Sequence, residues 1–497
     1  MNKVIYIFIL LSCLSCAQKE TELSWTRNFQ RIGTQSSVRA ADLNNDGVKD
    51  IVIGAGKAEL DSTPLGILAL DGLTGESLWE KSTTAQIVGS ATFTDITDDG
   101  IADVFIGGRD RILKAINGST GDIIWQYNAS KTENEVLRHA VFNFYNSTLI
   151  DDVNDNGYPE LLTINGGNWE AKPGETIERY PAVLMLIDAK DGRVIAADTM
   201  PDGKESYMSP IAYQQSGSEA TNIIIGTGGE TIGGSIYLTS LDDLLNNKLD
   251  KALQVITEKD HGYIAPPIVA DLNDDGVLDI TIASHSATIT AIDGENRAQL
   301  WQHSLDGYEC SSSFAVGQFT SDEIPDIVTV VSKGVWPDYS DGLLVVINGA
   351  TGEVEYQESL GCFSLTTPVV YDLNDDGLDE VIMSINKYDC DIEFINDIKG
   401  TDDIANIMIA LDLKSGTVQE IDKSPRFRNI YGSPWIGDLD DDGYLDIVYG
   451  QNYDSRDLFK VGGMRIKRIS SSIKMSDENV AWGEYMGKSG KGIYEKS

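Results

Sequence analysis

The sequence predicts an all-β chain that folds as a single eight-bladed β-propeller. Three observations support this prediction: an acidic loop leading into an apolar segment recurs along the chain, a hairpin pattern recurs after these loops, and the loop spacing leaves room for two degenerate copies. Four-stranded repeats of this kind, without long helical patterns, are typical of blades arranged around an axis. A seven-bladed ring is the alternative if one degenerate copy is an elaborated loop.

The most regular repeat is the acidic loop, which reads Asp-Leu-Asn-Asp-Asp-Gly-Val-Leu-Asp at residues 271–279. Side-chain oxygens occupy positions one, three, five and nine, and glycine at position six allows a sharp backbone turn. The carbonyl of position seven can add another oxygen, and calcium takes about six to eight oxygen ligands. A turn without metal is the simpler alternative for any one copy, but its repetition favours calcium.

Six copies keep the glycine and the oxygen positions, and each continues into an apolar strand rather than into the helix of an EF-hand. We therefore expect about six structural Ca²⁺ ions. The predicted ligands, loop by loop, are Asp42, Asn44, Asp46 and Asp50; Asp95, Thr97, Asp99 and Asp103; Asp152, Asn154, Asn156 and Glu160; Asp271, Asn273, Asp275 and Asp279; Asp372, Asn374, Asp376 and Glu380; Asp438, Asp440, Asp442 and Asp446.

Two further copies have lost most of these acids. The gap between the third and fourth loops fits an extra repeat around Tyr213, and the gap between the fourth and fifth fits another at residues 315–330. In the latter, Gln318 replaces the first aspartate and Glu323 replaces the turn glycine. These copies raise the number of blades to eight.

Each loop is followed by a hairpin pattern, two alternating strands around a glycine-containing turn, as at residues 67–79. Related segments lie at residues 113–125, 184–195, 289–301, 344–356 and 407–418. The segment around Trp25 resembles the outer strand of other repeats, such as the one around Trp79, but precedes the first blade. We expect it to close the ring by pairing with the last blade near residues 463–467. The tail from residue 477 either adds a strand or lies on the rim.

Composition excludes several classes of partner. Asp and Glu number 78 against 38 Lys and Arg, a formal charge of −40, which disfavours nucleic acids and anionic lipid surfaces. The apolar fraction of 41% is sufficient for a packed core, so the acidity does not indicate disorder. A monomer is expected.

Residues 1–16 predict a lipoprotein-type export signal, with Lys3, an apolar run at residues 4–11 and small residues around two cysteines. The segment resembles a bacterial lipobox with the lipid on Cys13 or Cys16, and plain secretion is the alternative. The expected location is the bacterial outer membrane, on its periplasmic or cell-surface side, with membrane contact only through the lipid. Residues 17–497 then form the propeller.

Three cysteines remain beyond this signal. Cys310 and Cys362 precede equivalent strands of adjacent repeats, so a disulfide between them is one option. With Cys390 the count is odd, and buried free cysteines are the alternative.

The acidic loops resemble the FG-GAP repeats of integrin α-subunits and their VCBS-type bacterial relatives. Hairpins such as Ala-Leu-Asp-Gly-Leu-Thr-Gly at residues 69–75 resemble the repeats of quinoprotein-like (PQQ-like) propellers. The resemblance covers nearly all of residues 17–497 and implies a calcium-stabilised propeller. It also implies that the first strand of each blade is innermost and that the calcium loop joins it to the second. It implies no activity, because many functions use this scaffold.

On that arrangement the long insertions and the linkers between blades share the face opposite the calcium loops. Their aromatic and charged residues suit a sugar ring or a protein partner. The predicted ligand-face residues are Arg138, His139, Trp169, Tyr207, His261, Tyr263, Trp336, Tyr388 and Arg428. The predicted function is non-catalytic binding of an extracellular glycan or protein. The alternative is a carbohydrate-active enzyme such as a polysaccharide lyase, in which His with Tyr or Arg would act as base and acid.

Overall fold

Eight antiparallel sheets of four or five strands follow one another in the computed structural model. The structure describes residues 22–129, 134–168, 171–172, 174–175, 179–336, 338–361, 364–387, 404–453, 462–475, 480 and 482–495. The prediction of an all-β, eight-bladed propeller is confirmed, and the seven-bladed alternative is wrong. Within the described ranges, no helix has both the length and the apolar character needed to cross a lipid bilayer.

The first strand, β1 (Glu22–Gln30), belongs to the last blade. Blades 1 and 2 contain β2 (Arg39–Ala41), β3 (Asp50–Gly54), β4 (Thr63–Leu70), β5 (Ser77–Thr83), β6 (Thr92–Thr94), β7 (Asp103–Ile106), β8 (Leu113–Ile116) and β9 (Ile123–Tyr127). Blades 3 and 4 contain β10 (Asn143–Phe144), β11 (Thr148–Ile150), β12 (Glu160–Gly166), β13 (Val183–Asp188), β14 (Val194–Thr199), β15 (Ile211–Gln214), β16 (Thr221–Gly226), β17 (Gly234–Ser240) and β18 (Leu253–Glu258). A short helix, α1 (Leu241–Leu245), joins β17 to β18.

Blades 5 and 6 contain β19 (Ile268–Ala270), β20 (Asp279–Ala283), β21 (Thr288–Ile292), β22 (Gln299–Ser304), β23 (Tyr308–Glu309), β24 (Ala315–Gly317), β25 (Asp326–Val335), β26 (Asp338–Ile347) and β27 (Val354–Gly361). Blades 7 and 8 contain β28 (Val369–Tyr371), β29 (Glu380–Lys387), β30 (Ala405–Asp412), β31 (Thr417–Pro425), β32 (Phe427–Arg428), β33 (Trp435–Gly437), β34 (Tyr444–Tyr453) and β35 (Gly463–Lys474). Single 3₁₀ turns lie at Leu137–His139, Leu249–Lys251 and Lys488–Gly490. The two degenerate repeats are blades 4 and 6.

The ring closes through β1, as predicted. This strand pairs antiparallel with β35, from Glu22 opposite Ser470 to Gln30 opposite Gly463. Trp25 on β1 is 7% exposed and donates its indole N–H to the Gly72 carbonyl of blade 1 at 2.8 Å. The N-terminal strand therefore joins the last blade to the first.

The same indole contact recurs between blades that are consecutive in the chain. Trp79 donates to the Gly118 carbonyl at 2.6 Å, and Trp301 donates to the Gly349 carbonyl at 2.6 Å. The turn glycine facing each ring is close enough that a Cβ on it would collide with the indole, as at Gly121 against Trp79. Large apolar rings from outer strands therefore pack onto neighbouring hairpins around the ring.

The C-terminal segment lies at the centre of the ring, a position that the sequence did not decide. Trp482 is fully buried, and its carbonyl accepts the Val370 N–H on the innermost strand of blade 7 at 3.1 Å. Tyr494 donates its N–H to the Val269 carbonyl of blade 5 at 2.9 Å, and Glu484 pairs with Arg39 of blade 1 at 2.7 Å. The segment therefore links the inner strands of blades that lie far apart in sequence.

Candidate functional site

The six acidic loops share one backbone geometry. Position one accepts the N–H of the position-six glycine at 2.7–3.0 Å in all six loops, as in the pair Asp271 and Gly276. Position four has positive φ of 55–62°, and the glycine has φ of 80–89°. Asp and Asn tolerate the left-handed region better than other side chains, and glycine enters it freely. The six loops therefore make the same tight turn.

The position-nine acid fixes each loop to the interior of its blade. Its carboxylate accepts the position-two N–H at 2.6–3.1 Å in all six loops. In three blades it also accepts a glycine N–H from the hairpin turn, as Asp50 does from Gly72 at 2.9 Å. Burial raises the pKa of Asp50 to about 6 and that of Glu160 to about 7. A cation beside such a carboxylate would favour its charged form.

Sequence reasoning missed an acidic residue at the hairpin turn that faces the loop. Asp71 accepts a hydrogen bond from the side-chain amide of Asn44 at 3.3 Å, and Asp188 accepts one from Asn156 at 2.8 Å. The signal was available, because Asp or Asn followed by glycine or alanine recurs in these turns. The hairpin thus places one more carboxylate oxygen beside the loop in these two blades.

The loop of blade 8 combines three converging acids with a buried arginine. Oxygens of Asp438, Asp440 and Asp442 lie within 4.8 Å of one another. Arg468, 2% exposed, donates to Asp440 at 2.5 Å and to both oxygens of Asp446 at 2.8 and 3.0 Å. Part of this loop's negative charge is therefore balanced by the protein itself.

A central cavity of about 650 Å³ opens on the other face of the ring. Its walls come from the loops between second and third strands and from the linkers between blades, and Tyr485 of the C-terminal segment contributes to its lining. Among the residues that the structure describes, the charged and aromatic ones that line it are Glu59, Arg109, Tyr145, Arg179, Tyr207, Glu230, Trp336, Tyr431 and Tyr485.

The two arginines of the cavity are paired with acids. Arg109 lies 3.1 Å from Glu59, and Arg179 forms an ion pair with Glu205, which is 1% exposed. Burial raises the pKa of Tyr207, so its phenol stays protonated at neutral pH. The cavity therefore presents neutral hydroxyls, aromatic rings, two ion-paired arginines and the carboxylate of Glu230.

The structure brings some of the predicted ligand-face residues together and separates others. Tyr207 and Trp336 line the cavity, and His261 contacts the carbonyl of the cavity residue Glu230 at 2.6 Å. Tyr263 and Arg428 are 1% and 0% exposed and belong to the interior.

Two others lie apart from the cavity lining. His139 packs on Tyr180 with ring centroids 6.0 Å apart, and Arg138 beside it is exposed. The histidine, tyrosine and arginine residues of the predicted ligand face are therefore divided between the interior and separate linkers.

Several predicted positions cannot be compared with the structure. Trp169, Tyr388, Cys13, Cys16, Cys362 and Cys390 lie outside the described residues. Cys310 is a free, buried thiol, and burial raises its pKa to about 12.

A family model described as the FAM234A/B beta-propeller matches residues 25–368. The chain belongs to this family. Protein FAM234B of Mus musculus is 22% identical over 413 residues, covering 76% of this chain and 61% of that protein. Protein FAM234B of Homo sapiens is 21% identical over 397 residues, covering 73% and 59%. The chain thus spans about three fifths of the length of these FAM234B relatives.

Solved structures with the same fold include quinohemoprotein alcohol dehydrogenases. The enzyme from Comamonas testosteroni aligns with a TM-score of 0.51 at 12% identity, covering 92% of this chain and 77% of that one. The enzyme ADHIIG from Pseudomonas putida HK5 aligns with a TM-score of 0.50 at 11% identity, with the same coverage. At such identities the likeness concerns the fold, and it confirms the predicted similarity to quinoprotein-like propellers at that level. Calcium binding of the FG-GAP type stays a prediction.

The prediction of a bacterial outer-membrane lipoprotein is wrong. The curated relatives are mouse and human FAM234B proteins, which are not bacterial lipoproteins. The prediction depended on Lys3, an apolar run at residues 4–11 and small residues around two cysteines. Such residues are common, and together they meet only a requirement for local hydrophobicity. They therefore do not specify a cellular compartment.

Proposed function

We propose that this propeller is a non-catalytic binding module that holds a neutral glycan in its central cavity. The observation that supports this most directly is the cavity of about 650 Å³ walled by Tyr145, Tyr207, Trp336 and Tyr431. Ligand pockets typically have volumes of about 300–1,000 Å³. Aromatic faces pack against the apolar faces of sugar rings, while phenol and carboxylate oxygens hydrogen-bond to hydroxyls.

The charges of the cavity favour a neutral glycan over a polyanion. Arg109 and Arg179 are engaged by Glu59 and Glu205, and Glu230 adds another carboxylate to the wall. An acidic sugar would have to displace these pairs or approach uncompensated carboxylates, both of which cost free energy in a partly desolvated site. A flat protein partner has less reason to need a deep cavity with rings on its walls.

A glycan array probed with the purified chain tests this proposal. We expect binding to neutral oligosaccharides, weakened at least about tenfold by Trp336→Ala or Tyr207→Ala, since each removes a stacking surface. Tyr356→Ala, on outer strand β27 and outside the cavity lining, is the control and should bind as the parent does.

Three outcomes would contradict the proposal. The first is that Trp336→Ala and Tyr207→Ala both bind neutral oligosaccharides as tightly as the parent does. The second is that the chain binds only acidic glycans or only proteins. The third is the appearance of unsaturated sugar products, followed by ultraviolet absorbance, because that would indicate lyase activity.

We also propose that the acidic loops hold Ca²⁺ as a structural ion. Support comes from their common geometry, from the convergence of Asp438, Asp440 and Asp442, and from a donor set made of carboxylate, amide and carbonyl oxygens. The position-nine acid would transmit the effect of the ion to the blade, because it contacts both the loop and, in three blades, the hairpin. Neutralising clustered carboxylates should then stabilise the fold.

Melting temperatures with excess calcium and with excess chelator test this second proposal. Each site should add about 2.7 kcal/mol at a free calcium concentration 100 times its Kd. Asp275→Ala should remove one bound ion and part of the calcium-dependent gain. Asp274→Asn removes the same charge from position four and should keep the ion. Equal melting temperatures in calcium and chelator would defeat the proposal.

A further inference from the structure

Two of the chain's four histidines meet a buried glutamate beside the cavity. His261 lies in the linker before β19, His285 in the turn between β20 and β21, and Glu309 on β23. One side-chain ligand atom from each lies within 4.8 Å of those of the other two. His285 is 0% exposed and Glu309 is 5% exposed, so the group lies in the wall rather than on the outer surface.

Backbone hydrogen bonds hold the three segments in register. His285 donates its N–H to the Gly262 carbonyl at 2.9 Å, next to His261. Cys310, next to Glu309, donates its N–H to the His285 carbonyl at 2.9 Å. The three side chains are therefore placed by main-chain contacts immediately beside them, which preorganises the group.

One ring nitrogen of each histidine contacts a group outside the cluster, and for His261 this contact fixes which nitrogen carries the lone pair. His261 Nδ1 lies 2.6 Å from the Glu230 carbonyl, which can only accept, so Nδ1 carries the proton and Nε2 carries the lone pair. His285 Nδ1 is 3.3 Å from the Ser311 hydroxyl. Metal-binding histidines are commonly fixed in this way through the other ring nitrogen.

Glu309 is oriented by two donors on one of its oxygens. Its Oε2 accepts the Tyr339 hydroxyl at 2.6 Å and the Trp336 N–H at 2.9 Å. His285 Nε2 lies 3.0 Å from the same oxygen. The two groups are poorly aligned, so among the described residues this nitrogen has no hydrogen-bond partner. A fully buried ring nitrogen thus points into the group without a well-aligned partner.

We propose that His261, His285 and Glu309 bind one zinc ion. Two imidazole nitrogens and one carboxylate oxygen match zinc sites that keep a fourth position open. Zn–N and Zn–O distances of about 2.0–2.2 Å place tetrahedral ligand atoms roughly 3.3 Å apart. The distance of 3.0 Å between His285 Nε2 and Glu309 Oε2 is close to this spacing.

The open position would face the central cavity. Glu230, Ser311 and Trp336 line that cavity, and each contacts one of the three proposed ligands. The site goes beyond glycan binding and does not depend on it, since a zinc ion can bind whether or not the cavity takes a sugar. A buried His–Glu ion pair without metal is the competing account, and the experiment separates the two.

Isothermal titration of the metal-stripped full chain with ZnCl₂ is the direct test, with excess CaCl₂ present so that the acidic loops do not take up zinc. We expect one equivalent of zinc, bound at least about a hundredfold more weakly by His261→Gln, a ligand that is only half-buried and tolerates change. His303→Gln, on outer strand β22 of blade 5, is the matched control and should bind as the parent does. Melting curves in chelator verify that both variants are folded.

A second readout distinguishes coordination from a structural ion pair. Cobalt substituted at the site should give visible absorption bands of tetrahedral intensity, and Glu309→Gln should change them. Tyr339→Phe, which removes a donor to Glu309, should weaken zinc binding by about 10- to 100-fold. Absence of zinc binding, or undiminished binding by folded His261→Gln, would overturn the proposal.

Discussion

Replacing Trp25 with alanine should weaken the seam at which β1 closes the ring. In the other blades the outer strand follows its neighbour along the chain, whereas blade 8 is completed by β1, which comes from the opposite end of the sequence and pairs with β35. The indole of Trp25 is 7% exposed, packs against Gly75 and donates to the Gly72 carbonyl at 2.8 Å. Its removal therefore acts on the contact that holds the last blade to the first.

The expected loss is about 4 kcal/mol, because truncating a buried aromatic residue to alanine costs about 3–5 kcal/mol. The Gly72 carbonyl keeps a second donor in Arg468 Nη1 at 3.1 Å, so the loss does not include an orphaned carbonyl. Trp25→Phe keeps most of the ring and should lose only about 1 kcal/mol. If the free energy of local opening falls by about 4 kcal/mol, the amide exchange rate rises by roughly a thousandfold.

Hydrogen exchange resolved by segment is the assay, and Trp301→Ala is the matched control. Trp301 is also 7% exposed and makes the same indole contact, at 2.6 Å, between blades 5 and 6 that the chain connects. We expect faster exchange in β1 and β35 for Trp25→Ala, and a global loss without that local change for Trp301→Ala. If both variants lose the same global stability and β1 exchanges at the parent rate, the seam is no weaker than other blade interfaces and the reasoning fails.

Three further outcomes are expected. Burial acts to raise the pKa of Asp422, but hydrogen bonds, including one from Lys467, lower this pKa overall. The ionised carboxylate therefore stabilises the fold at pH values above its ordinary pKa of 3.8. This stabilisation is lost as the pH falls through the lower pKa of the folded state. Asp422→Asn should therefore reduce the free energy of unfolding in urea at pH 7 and have less effect near pH 3. Arg468→Gln should cost about 3–5 kcal/mol without calcium, since it leaves Asp446 buried without its cation, and added calcium should restore part of the melting temperature. Trp482→Ala should cost about 3–5 kcal/mol and make the segment after residue 475 sensitive to protease, because the fully buried indole fixes the tail in the ring.

The repeated part of the fold was predictable because its determinants are local. Each acidic loop is fixed by bonds from its own side chains to its own backbone within nine residues, as between Asp42 and Gly47. Such contacts leave a spacing in the sequence that identifies blade after blade. The outer tryptophans could be recognised for the same reason, since each occupies the same place in its hairpin.

The candidate site was less predictable because its residues come from separated segments without a shared spacing. His285 and Glu309 meet His261 only when blades 4, 5 and 6 are assembled, and no local pattern marks them. The C-terminal segment was undecided for a related reason: Trp482 has its backbone partner at Val370, over a hundred residues away. Packing at the axis depends on the closed ring of blades, and the residue pattern of a single strand does not show which distant segments meet there.

We propose that the two faces of the ring separate stability from recognition, and this division is itself testable. Acidic loops and hairpin turns share one face, where Asp50 contacts both the Leu43 and the Gly72 amides. Cavity residues such as Tyr207 and Trp336 lie on the loops and linkers of the opposite face. Loss of one calcium ion should therefore lower the melting temperature without changing glycan affinity at temperatures where the chain stays folded. Asp275→Ala measured by both assays checks this, since a parallel fall in affinity in the folded protein would mean that the faces are coupled through the blade.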